Sequence, residues 1–484
     1  MNLTKKLRIG ILSAAGLAAL VGCNQEREKP SGGDGDSTGQ ASGGGTASSA
    51  SDGGSTTGDL VNNITDEELA AYKASPITLT FWSPIVGPDA GYFQDIVTNW
   101  NTNYGNWIRI SSDPLEEEAH YTRILTSFTD QTTADICLIH KQRLARYEKT
   151  GKLRDMSSII ANAGIEESQY IDGAWDDGFI NNKQIGLVAD YLPTLLFYNK
   201  KLIPEGYTEA DILSDDFTYE KLCEMAQAGY VHHAVSSKRK YGFAFNYGYC
   251  EEPFITNLAG LGAEPVKADN PTTPLYNSDA AFQAVKAIES IPFTFKDGNK
   301  IASASGSDHR KVFKGGKALF TMDGLWSAES LVLHNNTVDT GIAFLPKVNA
   351  SAQRLCYSDA HTFVTFTNKN VSDARDGAIS LFLKYFTANT LHWCKSGKVA
   401  ARKDVAANEE YKKLDWSFVS DKFASVVTPG KIYSYQTITS HAAETISTIC
   451  EGKGNDGTTA YTDEEIKSML NTSVEEAKNL VKQL

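Results

Sequence analysis

Positive charge is scarce in this chain. Its 46 Lys and Arg stand against 59 Asp and Glu, a formal net charge of −13. A protein that grips a phosphate backbone needs a basic face, so nucleic acid is excluded as a partner. Long apolar runs are missing too. After the N-terminal segment none approaches the roughly 18 residues of a membrane span, which excludes a multipass membrane protein. Seven cysteines in 484 residues are too few for a dense disulfide scaffold. The 39 glycines follow no three-residue period, which excludes a collagen-like chain. What the chain does carry is core material. It is 41% hydrophobic and 10% aromatic, against 22% charged, which excludes a wholly disordered chain. Its length, about three times that of a typical domain, calls for two or more domains.

The N-terminus reads as an address. Lys5, Lys6 and Arg8 form a positive start, and Ile9 to Val21 a short apolar run. This is the layout of a secretory signal, too short for a stable anchor. It closes on Leu20-Val21-Gly22-Cys23, which resembles the bacterial lipobox. That resemblance implies a signal peptide over 1–22 and lipidation of Cys23 as the first mature residue. Residues 23–64 are dominated by Gly, Ser, Thr, Asp and Ala, with Gly43-Gly44-Gly45 and Ser48-Ser49-Ala50-Ser51, and read as a flexible tether. The implied location is the extracytoplasmic face of the cell membrane, held there by the lipid alone. Asp34-Gly35-Asp36-Ser37 lacks the later acidic ligand of a calcium loop and reads as part of the tether. Cys137, Cys223, Cys250, Cys356, Cys394 and Cys450 have no Cys-x-x-Cys spacing. Disulfides and buried thiols both remain open for them.

The body begins with alternation of strand and helix. Ile77 to Trp82, Trp107 to Ser111 and Asp135 to Ile139 read as strands. Phe93, Ile96, Val97 and Trp100, and the segment Tyr121 to Phe128, have helical spacing between them. The pattern continues with strands at Ile185–Ala189, Thr194–Tyr198 and Tyr241–Tyr247. Helices follow at Ala280–Ile288, Ala374–Tyr385 and Asp463–Leu484, the last with the capping pattern Thr462-x-x-Glu465. This is an α/β architecture.

Catalytic motifs are absent. There is no Gly-x-Ser-x-Gly elbow, no His-Glu-x-x-His and no phosphate loop. Gly452-Lys453-Gly454-Asn455-Asp456-Gly457 lacks a preceding strand and reads as a loop. His232 and His233, being adjacent, make a poor metal pair. Glu116-Glu117-Glu118 and Asp176-Asp177 read as solvated faces. No cofactor and no metal is implied.

Five blocks in order carry more information. They are Leu79-Thr80-Phe81-Trp82-Ser83; Ala134-Asp135-Ile136 with Gly151-Lys152-Leu153-Arg154-Asp155; Gly186-Leu187-Val188-Ala189-Asp190 with Leu196-Phe197-Tyr198-Asn199-Lys200; Phe313-Lys314-Gly315-Gly316-Lys317-Ala318 with Gly324-Leu325-Trp326; and Ile342-Ala343-Phe344-Leu345-Pro346. Together they resemble the extracellular solute-binding proteins of carbohydrate ABC importers, the maltose-binding-protein-like family. The resemblance implies a two-lobe periplasmic-binding-protein type II fold with a hinge and an interlobe cleft. Lobe 1 would comprise 65–190 and 358–418, and lobe 2 191–357 and 419–484. The chain would cross near Val188–Pro193, Tyr357–Phe363 and Trp416–Pro429.

A sugar has apolar C–H faces and a rim of hydroxyls. Its site needs aromatic rings for the faces and carboxylates, amides or Arg for the rim. The resemblance places Trp326 as a stacking ring and Asp190 at the first hinge. Glu252-Pro253-Phe254 resembles a Glu-Pro-Tyr segment that offers Glu252 and Phe254 to the sugar. His140, Gln142 and Arg143 occupy a cleft-edge loop, and Ile139 stands where a Trp would be expected for maltodextrin. Trp82 and Ser83 end the first strand, His361 sits at the second hinge, and Tyr433 follows the last crossing. The implied protein is a monomeric, non-catalytic receptor that hands a carbohydrate to the permease subunits of an ABC importer. Two other readings are a secreted carbohydrate-active enzyme working through Asp190 and Glu252, and a receptor for a non-sugar solute such as a polyamine, phosphate or iron.

Overall fold

In the computed structural model the first sheet has five strands, in the order Ile108–Pro114, Ile77–Ser83, Ile136–His140, His361–Val364, Leu187–Val188. The Ile77–Ser83 strand pairs in parallel with both neighbours, and His361–Val364 runs antiparallel to its own two. Alternation explains the first strand: Leu79, Phe81 and Ser83 are buried while Thr78 and Thr80 are exposed. Ile136–His140 is buried along nearly its whole length, as its unbroken apolar run requires. Helices Ala90–Tyr104 and Asp373–Ala388 cover this sheet with Phe93, Trp100, Phe382 and Phe386. The structure describes residues 60–235, 238–304, 309–335, 337–454 and 457–484, all within one compact unit.

The second sheet has eight strands and is organised by one of them, Asp190–Asn199. All ten of its residues are buried. It pairs antiparallel with Ala318–Gly324, Thr340–Ala343, Cys356–Asp359 and Val399–Ala400. Beyond Ala318–Gly324 lie Tyr241–Phe245 and Ala302–Ala304, both in parallel register. The core here is built from Phe243, Phe254, Tyr276 and Phe320. The helices Tyr435–Glu451 and Asp463–Val481 close it. The Thr462–Glu465 box caps the last helix reciprocally, at 2.8 and 3.3 Å.

The chain changes sheet at two adjacent points. Ala189 separates Leu187–Val188 of the first sheet from Asp190 of the second. Ala360 separates Cys356–Asp359 of the second from His361–Val364 of the first. The two crossings touch through the Ala189 N–H, which donates to the His361 carbonyl at 2.8 Å. A third segment, Val426–Val427, pairs in parallel with Cys356–Tyr357. Lys141, from the loop after Ile136–His140, ties down its far end by donating to Thr428 Oγ1 (2.8 Å) and the Pro429 carbonyl (2.6 Å).

Several expectations need correction. Residues 60–64 are not tether. Leu60 and Ile64 belong to the first core, and the Asn389 amide brackets Val61 at 2.7 and 3.0 Å. This short stretch docks against the helices Ala90–Tyr104 and Asp373–Ala388, where the Ile64 amide donates to the Tyr104 hydroxyl at 3.3 Å and the Asn63 side-chain amide to the Lys384 carbonyl at 3.4 Å. Asp177 is no solvated face either. It is 8% exposed, pairs with the buried Lys141 at 3.1 Å and accepts from the Tyr191 hydroxyl at 2.9 Å. The signal peptide, the lipidation of Cys23 and the start of the tether fall outside the described residues. The six described cysteines are free thiols, five of them buried. Among the described residues no helix is long and apolar enough to cross a membrane.

Candidate ligand-binding cleft

A cavity of about 400 Å³ opens beside the two crossings. First-sheet loops contribute Ile85, Asp89, Glu117, His140 and Gln142; second-sheet elements contribute Tyr249, Glu251, Glu252, Trp326, Tyr357 and Asp359; His361 stands at the crossing itself. A shallower groove of about 570 Å³ lies between the helices Tyr219–Gly229 and Asp279–Ser290, and no first-sheet residue lines it.

The aromatic side is built around a glycine. Strand Ala318–Gly324 ends in a tight turn, and the half-buried Trp326 folds its ring back over Gly324. A Cβ at Gly324 would lie 2.0 Å from that ring, so only glycine permits the approach. Asp323, fully buried, holds the turn by accepting from the Gly324 amide (2.8 Å) and the Ser327 hydroxyl (3.1 Å). Arg310 grips Asp323 through two nitrogens at 2.5 and 2.8 Å, and also donates to the Tyr249 hydroxyl at 2.9 Å. Burial would raise the Asp323 carboxyl, but Arg310 and His309 outweigh it and hold it low. The Tyr249 and Trp326 rings stand 6.5 Å apart, inclined by 35°.

The carboxyl side starts with helix Glu251–Gly260. Acidic residues favour a helix N-terminus, and Pro253 is tolerated in the first turn because its N–H would have no partner there. Glu251 is fixed by the Thr439 and Ser440 hydroxyls at 2.5 and 3.0 Å. Glu252 has no side-chain donor among the described residues. Burial, and then the charge of Glu251, push its carboxyl up to about 8. Asp359 accepts from the Ala360 amide (2.8 Å) and the Gln142 amide (3.3 Å) through Oδ1. Its Oδ2 is buried without a partner, and burial raises this carboxyl also.

The imidazoles complete the lining. His140 Nδ1 lies 2.6 Å from the Tyr121 hydroxyl, which accepts from the His140 amide at 2.9 Å. The hydroxyl proton is then free to go to Nδ1, which places the proton of the neutral ring on Nε2. Glu117 is held below the usual carboxylate range by the His140 ring at 3.7 Å and by Arg143 at 3.4 Å. Burial lowers the basicity of His140, so Arg143 is the partner that persists at neutral pH. His361 lies 5.2 Å from His140, ring to ring, and bonds to Asp190.

The structure thus brings His140, Glu252, Trp326 and His361 together on one cavity. The other six candidates do not line it. Asp190 is fully buried behind His361, where the Trp393 indole also donates to it. Phe254 packs edge-on to Tyr276 in the core, because two residues along a helix from Glu252 turn it inward. Trp82 lies under the Arg123 guanidinium, 4.1 Å from its ring centre, and Ser83 is buried beneath the strand end. Arg143 stacks on Tyr121 at 3.7 Å behind Glu117. Tyr433 lines a separate cavity of about 340 Å³, with Lys149 over its ring. Glu116 and Glu117, expected on a solvated face, are exposed and also line the cleft. Sequence reasoning also missed Tyr249, Glu251, Tyr357 and Asp359. Tyr249, Glu251 and Asp359 lie within three residues of a candidate, and Tyr357 begins the stretch expected to hold the second crossing.

Two sheets joined by adjacent crossings, with a polar and aromatic cleft beside them, define a hinged two-lobe binding protein of the periplasmic type II fold. The sequence model of the bacterial extracellular solute-binding proteins matches residues 96–415, and the chain belongs to that family. A galactooligosaccharide-binding protein of Bacillus subtilis is 25% identical over 224 residues, 44% of this chain and 49% of the relative. The match therefore spans about half the length of that protein. Among solved structures, an ABC substrate-binding protein of Listeria monocytogenes in complex with cycloalternan superposes with a TM-score of 0.68 at 16% identity, covering 84% of this chain and 100% of that one. A cyclic α-maltosyl-1,6-maltose binding protein of Arthrobacter globiformis gives 0.63 at 17%, covering 84% and 99%. The Thermus thermophilus maltotriose binding protein bound with maltotriose gives 0.64 at 16%, covering 83% and 100%.

Proposed function

We propose that this protein is a cell-surface lipoprotein that binds a carbohydrate, an oligosaccharide, in the cleft and delivers it to an ABC importer. The observation that carries the reading is the lining of that cavity. The Trp326 and Tyr249 rings offer surfaces for C–H faces, and carboxyls and imidazoles converge on the same space to meet hydroxyls. The ligands of the similar proteins, a galactooligosaccharide, cycloalternan and maltotriose, support the same class. The two lobes are assigned to 60–190 with 358–418, and to 191–357 with 419–484, closing by hinge motion at Ala189 and Ala360. Cys23 carries the lipid, and the segment from there to residue 59 is the tether. The protein acts as a monomer, without cofactor or catalysis. An enzyme built on Asp190 and Glu252 is disfavoured, since Asp190 is sealed from the cavity by His361 and Trp393.

A thermal-shift screen of the purified protein against mono- and oligosaccharides, with product analysis of each mixture, tests this. A ligand that binds only the folded state at a hundredfold excess over its Kd adds about 2.7 kcal/mol of stability. A shift with one sugar class and no product is expected. Glycan turnover would establish the enzyme instead, and silence with every sugar would remove carbohydrate as the cargo.

A further inference from the structure

The cleft is one-sided in charge. Asp89, Glu116, Glu117, Glu251, Glu252 and Asp359 place six carboxyls on it, and no Lys or Arg is among the residues that line it. The cations nearby are already engaged. Lys398 holds Asp89 at 2.6 Å, Arg143 holds Glu117 at 3.4 Å, and Arg310 is spent on Asp323. Glu251 is answered by two hydroxyls. Glu116 is exposed to solvent, and two less exposed carboxyls remain without a side-chain donor among the described residues. Glu252 has no side-chain donor among the described residues. Asp359, 8% exposed, lines the cavity and has a buried Oδ2 with no hydrogen-bond partner. A buried oxygen left in that state costs free energy until something supplies a donor. His140 and His361 line the same cavity, but neither ring bonds to the Asp359 Oδ2.

We propose that the cleft selects a sugar bearing a primary ammonium group, an amino sugar or its oligosaccharide, with the ammonium shared by Glu252 and Asp359 and a pyranose face on Trp326. This deepens the carbohydrate reading and rests on it. An ammonium brings three donors and a positive charge to acceptors that have neither, whereas a sugar hydroxyl brings one donor and no charge. N-acetylation removes both advantages. A uronate or sugar phosphate meets six carboxyls with no free cation. A polyamine presents the same ammonium but no ring face for Trp326, so the experiment must separate the two sources.

The test is calorimetry on the purified protein. The ligands are glucosamine and its β-linked di- and trisaccharides, their N-acetylated counterparts, neutral gluco- and galacto-oligosaccharides of equal length, and spermidine. The free amines are expected to bind at least about tenfold more tightly than their N-acetyl forms, the factor of one added charge-assisted hydrogen bond. Binding should weaken with added salt. It should release a proton as the Glu252 carboxyl ionises, which titration in two buffers of different ionisation enthalpy reads directly. Glu252→Gln and Asp359→Asn should each collapse the tenfold preference for the free amine over its N-acetyl form, whatever either loses in neutral-sugar affinity, and a cooperative melt of each variant reports that it is folded. Equal or tighter binding of neutral or N-acetylated sugars would overturn the inference and leave the carbohydrate receptor standing. Spermidine binding as tightly as the amino sugars would overturn the sugar half of it. Failure of every sugar to bind would overturn both readings together.

Discussion

The Asp190 carboxylate accepts hydrogen bonds from both the main-chain N–H of His361, at 3.2 Å, and its Nδ1, at 2.9 Å. These residues begin the segments just past the two crossings, so one side chain locks together the strands on which any hinge motion must turn. Burial would raise the Asp190 carboxyl, but His361, Lys398 and the Trp393 indole hold it below the usual range.

Asp190→Ala should therefore destabilise the fold by about 3–5 kcal/mol, the cost of removing one partner from a buried charged pair. Urea denaturation reads this directly. A loss under about 1 kcal/mol would show that the crossings are held by their main-chain bonds alone.

Gly324→Ala should separate binding from folding. The new Cβ occupies the space of the Trp326 ring, which must swing away at an overpacking cost of about 1–3 kcal/mol. Sugar affinity should fall by about tenfold or more. Trp326→Ala should lose similar affinity with less cost in melting temperature, because that ring is half-exposed. Wild-type affinity in both variants would remove Trp326 from the site.

Stability of the unliganded protein should fall as pH rises from about 5 to about 8. Glu252 has its folded pKa raised to about 8, above the unfolded value, so the folded state binds more protons than the unfolded one in that window. The loss is at most on the order of 1 kcal/mol per pH unit. Asp190 acts in the opposite sense. Its pKa is lowered, so its contribution is present above the unfolded carboxylate range and is lost as pH falls below about 4. Glu252→Gln should flatten the slope above pH 5 in a melting series; an unchanged slope would assign it to another group.

Cys23→Ser should release the protein into the medium and abolish its labelling by a fatty-acid analogue. Retention of both in the variant would end the lipid-anchor reading.

The strands and helices were legible because each carries its own periodicity. The run Ile136–Ile139, the Phe93/Ile96/Val97/Trp100 stripe and the Thr462–Glu465 box depend on neighbours in the chain. Gly324-Leu325-Trp326 was legible only through the family resemblance, and the structure supplies its reason, a ring folded over the residue two positions back. Phe254 was misplaced because Glu252 and Phe254, two apart on a helix, point in different directions. Tyr433 was misplaced because its cavity is assembled from loops remote in sequence.

Composition and local pattern were enough for the acidic character, the α/β architecture and the order of motifs that places the chain in its family. These properties belong to single segments. Which carboxyls are committed and which are free was decided only when distant segments met. Lys398 reaches Asp89 across 309 positions, and Asp359 meets Gln142 across 217. The charge of a cleft depends on which cations remain beside its acids after packing, and that is a property of distances in space.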